Sequence, residues 1–402
     1  MKALLAFEQG SISLSNFLLA ILLARFLGLE QFGLFATIWL IVLFVNSLHQ
    51  ASIVFPMMSM NESITRSSQY RDGLDLMQLL FIILAIVLFL LIYLALNYLV
   101  PLGIDLVIPS ALAMVSYHYH DYIRKILILD NERVKLLYFT ITGYFSRFIL
   151  FGFLYLFDIS IELTVVFIVL IVSYILSFLV ILQKIKFGKK SQLIDVFYKH
   201  WQTSQWLIPS GILQWFSANY YMIIAAIVIS PVAVAAIRIG QNIAQLINVA
   251  LLASENYLPI KAAKEYEDNC VKGLTIYIKK VASLFLIPVT LLIIMAIMFS
   301  EYIVEAVYGL EFVPYSFTLI WFSIMAFTLV LMSMLRTYFR VVSNTKPWFV
   351  GYVTSSVFAL IFAYPLEANY GVHGALLGML ISQVIVILGA YLYSKRMLNE
   401  SR

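Results

Sequence analysis

Arg238, Gln241, Asn242, Gln245, Asn248 and Glu255 recur at spacings of three and four residues within a run that is otherwise apolar. On a helix such spacing lines them along one face. A guanidinium flanked by amides supplies planar, charge-assisted donors for phosphate and neutral donors and acceptors for sugar hydroxyls. A stripe of that kind cannot face lipid tails. A second set opens the chain: Glu8, Ser11, Ser15 and Arg25 share a face with Gln9 and Asn16 beside them, and Asn46, His49 and Gln50 follow. Gln205, Ser210, Gln214, Ser217 and Tyr221 form a third. Arg147 stands alone near the middle of a further apolar run. An ionisable group at the bilayer centre costs about 2.5–3.5 kcal/mol on insertion scales, so each is expected to face a cavity or a partner. For Arg147 a structural partner and a cargo contact both remain open; for Arg25 snorkelling to the interface competes with cargo binding.

The elements that must position these residues are membrane spans. The 402 residues are 63% hydrophobic and 12% charged, with mean hydropathy +0.96, against roughly 45–50% apolar content for a soluble domain. About twelve runs have the roughly 20 residues that a crossing needs. They fall near 8–27, 31–56, 73–96, 103–123, 136–156, 161–183, 204–229, 231–260, 275–299, 313–335, 347–366 and 371–394. The start of the chain carries a polar stripe where a cleavable signal would carry an apolar core, so the first span is expected to stay.

Charge orients the spans. Of the 26 lysines and arginines, all except Arg25, Arg147 and Arg238 lie at one set of alternate span ends, with the termini among them. The opposite ends carry acids such as Asp158, Glu162, Glu301, Glu305, Glu311 and Glu367, and no lysine. The positive-inside rule then places both termini in the cytoplasm. The net charge of +5 is accounted for by this asymmetry, and no nucleic-acid partner is expected.

Two halves are legible. Ser15-Asn16 precedes Pro56 by the same distance as Ala218-Asn219 precedes Pro259, RDGL at Arg71 is echoed by VKGL at Val271, and Ile123-Arg124 by Leu335-Arg336. With an even number of spans per half, both copies enter from the same side, a parallel repeat about an axis along the membrane normal. The expected fold is all-α and integral to the membrane: a six-helix lobe over 1–183, a basic cytoplasmic linker over 184–203, and a second six-helix lobe over 204–402, around a central cavity. The polar stripes fall on the first two spans of each half, as they would if those four line that cavity.

Enzymatic readings find little. Gly28 and Gly33 sit five apart as in a phosphate loop, but Leu34-Phe35 follow in place of Lys and Ser/Thr, and no strand precedes them. Paired carboxylates and nucleophile triads are missing from the pattern. Cys270 is the single cysteine, and His118 and His120 sit among Tyr117, Tyr119 and Tyr122, which reads as an interfacial aromatic belt rather than a metal site. No cofactor or metal is expected.

Gln9 to Ala36, QGSISLSNFLLAILLARFLGLEQFGLFA, resembles the opening signature of O-antigen flippase type polysaccharide transporters in the multidrug/oligosaccharidyl-lipid/polysaccharide flippase superfamily. Phe55-Pro56, RTYFRVVSNTK from Arg336 and YGVHGALLGMLISQ from Tyr370 resemble it too, so the similarity runs along the whole chain. One departure is the very short segment before Glu8, which lacks the basic lead of many relatives. The resemblance implies a bacterial inner-membrane flippase that moves undecaprenyl-pyrophosphate-linked oligosaccharide to the outer leaflet by alternating access, for O-antigen, capsule or exopolysaccharide synthesis. Its partners would be that polyprenyl-linked glycan, membrane lipids, a glycan polymerase and a chain-length regulator. It also implies that basic cavity residues hold the pyrophosphate, and Arg25 and Arg238 occupy the matching helices. Two other classes stand beside this one: a multidrug or small-cation exporter on the same fold, which predicts dominant acids and aromatics in the cavity, and a structural scaffold, which needs no polar stripe. Glu8 and Glu255 are the candidate coupling acids, and the coupling ion, Na⁺ or H⁺, stays open.

Overall fold

Backbone donors and acceptors inside a bilayer must be satisfied within the segment that carries them, and an apolar chain answers with helices. The computed structural model describes residues 2–181, 189–254, 258–342 and 346–400. Among them there is no β-strand, and eight helical stretches are long and apolar enough to cross a membrane. Three of the helices carry breaks. α1 (Lys2–His49) turns at Gly28, whose φ is 70°. α12 (Lys346–Glu400) turns at Gly371, φ 56°, and α10 (Leu258–Tyr308) at Asn269 and Cys270. The breaks of α1 and α12 fall near mid-helix and leave on either side a leg of at least about 20 residues, enough at about 1.5 Å per residue for the roughly 30 Å of a hydrocarbon core, so each supplies two crossings; the break of α10 falls near its start and leaves one.

After α1 a five-residue π segment, Gln50–Val54, leads through α2 (Phe55–Ser59) and α3 (Glu62–Thr65) to α4 (Ser68–Leu99). Then come α5 (Val107–Leu129), α6 (Arg133–Leu156), α7 (Leu163–Val180), α8 (Lys190–Val228), α9 (Pro231–Ser254), α10, α11 (Phe317–Val341) and α12. Counting the two legs of α1 and α12 separately yields the twelve crossings of an all-α membrane protein.

The chain forms two compact units: Met1–Leu27 with Leu34–Ile212, and Gly28–Gly33 with Leu213–Arg402. This division passes through α8, between Ile212 and Leu213. Its physical cause is local. Residues 190–212 continue the α8 helix and pack on the first unit, where Val196 joins a buried cluster with Tyr70, Leu74 and Tyr122. A Cβ at Gly73 would run into the Gln192 backbone. His200 bridges the Tyr70 hydroxyl at 2.9 Å and the Ser52 carbonyl at 3.0 Å, an acceptor in the π segment, where the backbone ladder is irregular.

Gly28–Gly33 joins the second unit for equally specific reasons. Its Gly28 takes a left-handed conformation that L side chains rarely adopt, and the Leu29 N–H donates to Glu311 Oε2 at 3.3 Å. A Cβ at Gly33 would collide with the Pro231 carbonyl. Phe32 meets Phe312 edge-on, ring centres 6.2 Å apart. The two glycines that imitate a phosphate loop are thus one turn and one close approach. The second unit has its own apolar core, in which Leu274, Val289, Ala326, Val330 and Ala390 are buried. Leu284, Ile287, Leu291 and Met298 of α10 are exposed in the isolated chain, as side chains turned to lipid can be without cost.

Candidate functional site

In the first unit the polar residues of α1 are neutralised by α5 and α6. Glu8 is only 2% exposed, and a carboxyl buried to that extent needs a partner. Arg124 of α5 donates to Glu8 Oε1 at 2.9 Å and through Nη2 to Asp121 Oδ1 at 3.0 Å. The Thr140 hydroxyl donates to the same Glu8 oxygen at 3.0 Å, and Gln50 Nε2 donates to Asp121 Oδ2 at 2.8 Å. Asn46 is half-buried and accepts from Gln50 at 3.4 Å. One arginine thus serves two buried carboxylates, an arrangement that holds α1 to α5 and leaves neither acid free for a cation.

Arg147 is 1% exposed. Its Nη2 donates to Ser15 Oγ at 2.7 Å and to Asn16 Oδ1 at 3.0 Å, while Ser15 itself donates to the Tyr144 carbonyl at 2.6 Å. The guanidinium also lies over the Tyr144 ring, 5.0 Å from its centre, a favourable cation–π approach. Protein groups therefore occupy Arg147 Nη2 in this conformation, while its Nε is buried without a hydrogen-bond partner among the described residues. Arg25 lies one turn before the Gly28 break with an exposed side chain.

His118 and His120 are both buried. His120 stacks on Phe139 with ring centres 4.3 Å apart and meets Tyr174 at 4.9 Å. They belong to an internal aromatic cluster rather than to an interfacial belt, because α6 and α7 close over this face of α5. Among the described residues no group of His, Cys, Asp and Glu could hold a metal ion.

In the second unit the stripe on α9 is differently satisfied. Arg238 is half-buried; its Nη1 donates to Gln241 Oε1 at 2.8 Å, an i,i+3 contact that fixes the guanidinium on the helix face. Its Nη2 is buried and has no hydrogen-bond partner among the described residues. Asn242 beside it is half-buried and Gln214 of α8 is exposed. The side chains of Gln245 and Asn248, and Glu255 altogether, lie outside the described residues. The polar positions of α8 divide: Ser217 pairs with Ser355 at 2.7 Å and Tyr221 with Ser382 at 2.8 Å, so both tie α8 to α12.

The sequence pattern gathers the residues of the first unit only in part. It brings Glu8, Asn16 and Arg147 into view but not Arg124, whose role depends on α5 packing against α1. It also places Glu367 among the loop acids, whereas that side chain is 1% exposed. The burial pattern of its own helical turn, with Ala363 inside and Tyr364 and Tyr370 outside, shows the inward face that a loop assignment hides.

No protein-family model matches the chain, and no curated protein matches it. Solved structures do. The chain is similar to a multidrug resistance MATE family transporter of the MOP superfamily in its inward-facing conformation, with TM-score 0.76 at 12% identity, covering 97% of this chain and 95% of that one. It is similar to the lipid II flippase MurJ in an inward closed conformation, with TM-score 0.71 at 15% identity over 97% of this chain and 87% of that one. A MOP superfamily transporter from Pyrococcus furiosus, described as having a binding pocket of reversed polarity that suggests a different function, gives TM-score 0.58 at 12% identity, covering 99% and 94%. The chain has the fold of the MOP transporters. At these identities the likeness establishes fold, and one fold carries different cargoes.

Proposed function

We propose that the chain is a flippase for polyprenyl-pyrophosphate-linked oligosaccharide, undecaprenyl-pyrophosphate-linked in a bacterial inner membrane, with both termini cytoplasmic. The observation that carries this reading is Arg238. Among the buried and half-buried arginines, Arg124 is engaged by Glu8 and Asp121, and Arg147 gives its Nη2 to Ser15 and Asn16. Arg238 Nη2 is buried without a hydrogen-bond partner among the described residues; Arg71 Nη1 and Arg147 Nε are buried without one too, but the Nη2 groups of those two are held by Asp130 and by Ser15 and Asn16, whereas Arg238 is fixed through Nη1 to the neutral amide of Gln241. A cation held that way is costly unless a ligand completes it, and a pyrophosphate offers the oxygens a planar fork binds best. Gln241 pre-orients the fork, and Asn242, Gln245, Asn248 and Gln214 are the candidates for sugar hydroxyls. Asn16 and Asn46 of the first unit, and Arg25 at the end of the first leg of α1, are further candidates for cargo contact. Fold likeness to the lipid II flippase MurJ is consistent with a lipid-linked glycan.

A multidrug or small-cation exporter is the second reading, and the likeness to a MATE transporter favours it to the same degree. It requires an acid available to a cation; both buried acids of the first unit are engaged by Arg124, and Glu367 of the second unit has no hydrogen-bond partner among the described residues. The experiment is complementation of a strain lacking its native flippase, scored by surface glycan. The wild-type chain restores it and Arg238→Ala, inserted at wild-type level, does not. Wild-type surface glycan from that variant, or drug resistance without glycan export, contradicts the assignment.

A further inference from the structure

Glu367 is the buried acid that neither the packing nor the cargo reading uses. It lies four residues before the Gly371 break, at the end of the first leg of α12. The second leg folds back closely there: a Cβ at Gly374 would strike the Leu366 carbonyl and lie 3.1 Å from the Glu367 nitrogen. One turn further, Gly378 gives way to the ring of Tyr221, itself fully buried. Glu367 is thus enclosed by a helical hairpin and α8, and both of its carboxyl oxygens are buried without a hydrogen-bond partner.

The contrast with the first unit is informative. Glu8 and Asp121, similarly buried, share Arg124. Among the described residues no Lys, Arg or His forms an ion pair with Glu367. Tyr221 of α8 packs on the second leg at Gly378, and its hydroxyl is already paired with Ser382 at 2.8 Å. A hard cation needs several oxygen ligands gathered around it, whereas neither carboxyl oxygen has a hydrogen-bond partner among the described residues. The one species that satisfies this carboxyl without further ligands is a proton, because the neutral acid removes the charge whose desolvation the hairpin cannot offset.

We propose that Glu367 is a proton-binding site that couples transport to a proton gradient: carboxylate plus proton forms the neutral acid in the closed hairpin, and the proton leaves to water when the end of the α12 leg opens at Gly371. An amide at this place would be permanently neutral; a carboxyl can cycle. This inference rests on the chain being a transporter, whatever its cargo.

Its test has two readouts on the full-length protein in lipid. Infrared difference spectra across a pH titration should show a protonated carboxylic C=O band that disappears in Glu367→Gln and shifts in frequency in Glu367→Asp, with both variants checked for fold by circular dichroism. In proteoliposomes loaded with polyprenyl-pyrophosphate oligosaccharide, one pH unit across the membrane should change the wild-type transport ratio by up to about tenfold, and Glu367→Gln should show no such change. An unaltered band in both variants, wild-type pH dependence in Glu367→Gln, or dependence on Na⁺ alone overturns the proposal. The band with no flipping would uphold the proton site while refuting the cargo reading; flipping without the band would do the reverse.

Discussion

Arg124 and Arg238 are both arginines on polar helix faces, yet their replacement by Met should differ widely in its cost to stability. Arg124 bridges Glu8 at 2.9 Å and Asp121 at 3.0 Å. Removing one partner from a buried ion pair costs about 3–5 kcal/mol, chiefly from the charge left behind. Here one cation serves two carboxylates, so Arg124→Met belongs at the upper end, about 5 kcal/mol. Arg238→Met gives up one hydrogen bond, the 2.8 Å contact to Gln241, worth about 0.5–1.5 kcal/mol net, and relieves a buried donor that has no partner. Its net effect should lie within about 1 kcal/mol of zero, a gap of about 4 kcal/mol between the two variants. Reversible unfolding in mixed micelles, followed by tryptophan fluorescence, measures both. Adding Glu8→Gln and Asp121→Asn to Arg124→Met should recover most of the loss, because each amide oxygen still accepts from Thr140 or Gln50. Equal destabilisation by the two arginine substitutions, or no recovery in the triple variant, refutes the distinction between a structural and a functional arginine.

Other expectations follow from single contacts. Gly33→Ala places a methyl against the Pro231 carbonyl and should destabilise the second unit by about 1–3 kcal/mol, an overpacking cost, read by the same unfolding assay. Arg147→Gln should lower stability by about 2–5 kcal/mol, because two charged hydrogen bonds are lost and buried acceptors are left unmet; loss of export at unchanged stability would mean that Arg147 meets cargo instead. His200→Phe removes the bridge from Tyr70 to the Ser52 carbonyl and should make the 190–212 part of α8 exchange its amide hydrogens faster, by about tenfold for a loss of about 1.4 kcal/mol.

Much of the fold could be read from the residues because the bilayer imposes it: an apolar run near 20 residues has few alternatives to a helix. The start of α8 escaped that reading. Residues 190–203 are polar and aromatic, SQLIDVFYKHWQT following Lys190, and hydropathy sees a linker where His200 and Ser204 bond a carbonyl of the π segment. The polar stripes were visible by their spacing, but spacing does not say what faces them. Arg147 and Arg238 are alike in sequence context; the Nη2 of one meets Ser15 and Asn16, and the Nη2 of the other is buried without a partner among the described residues. Arg124, near a span end with Lys125, reads as an orientation charge until α1 is brought against α5. Glu367 is the converse: counted with the loop acids, it is enclosed because Gly374 lets the second leg of α12 close on it. Small residues permit that approach, and their effect belongs to the packing, not to the local pattern.

The central claim, that Arg238 holds a pyrophosphate, is tested most directly by leaflet-resolved flipping of fluorescent polyprenyl-linked oligosaccharides in proteoliposomes. Wild-type protein should move the pyrophosphate-linked lipid and move the monophosphate-linked one more slowly, and Arg238→Met should lose that preference while staying folded. Undiminished, pyrophosphate-selective flipping by Arg238→Met would contradict the account.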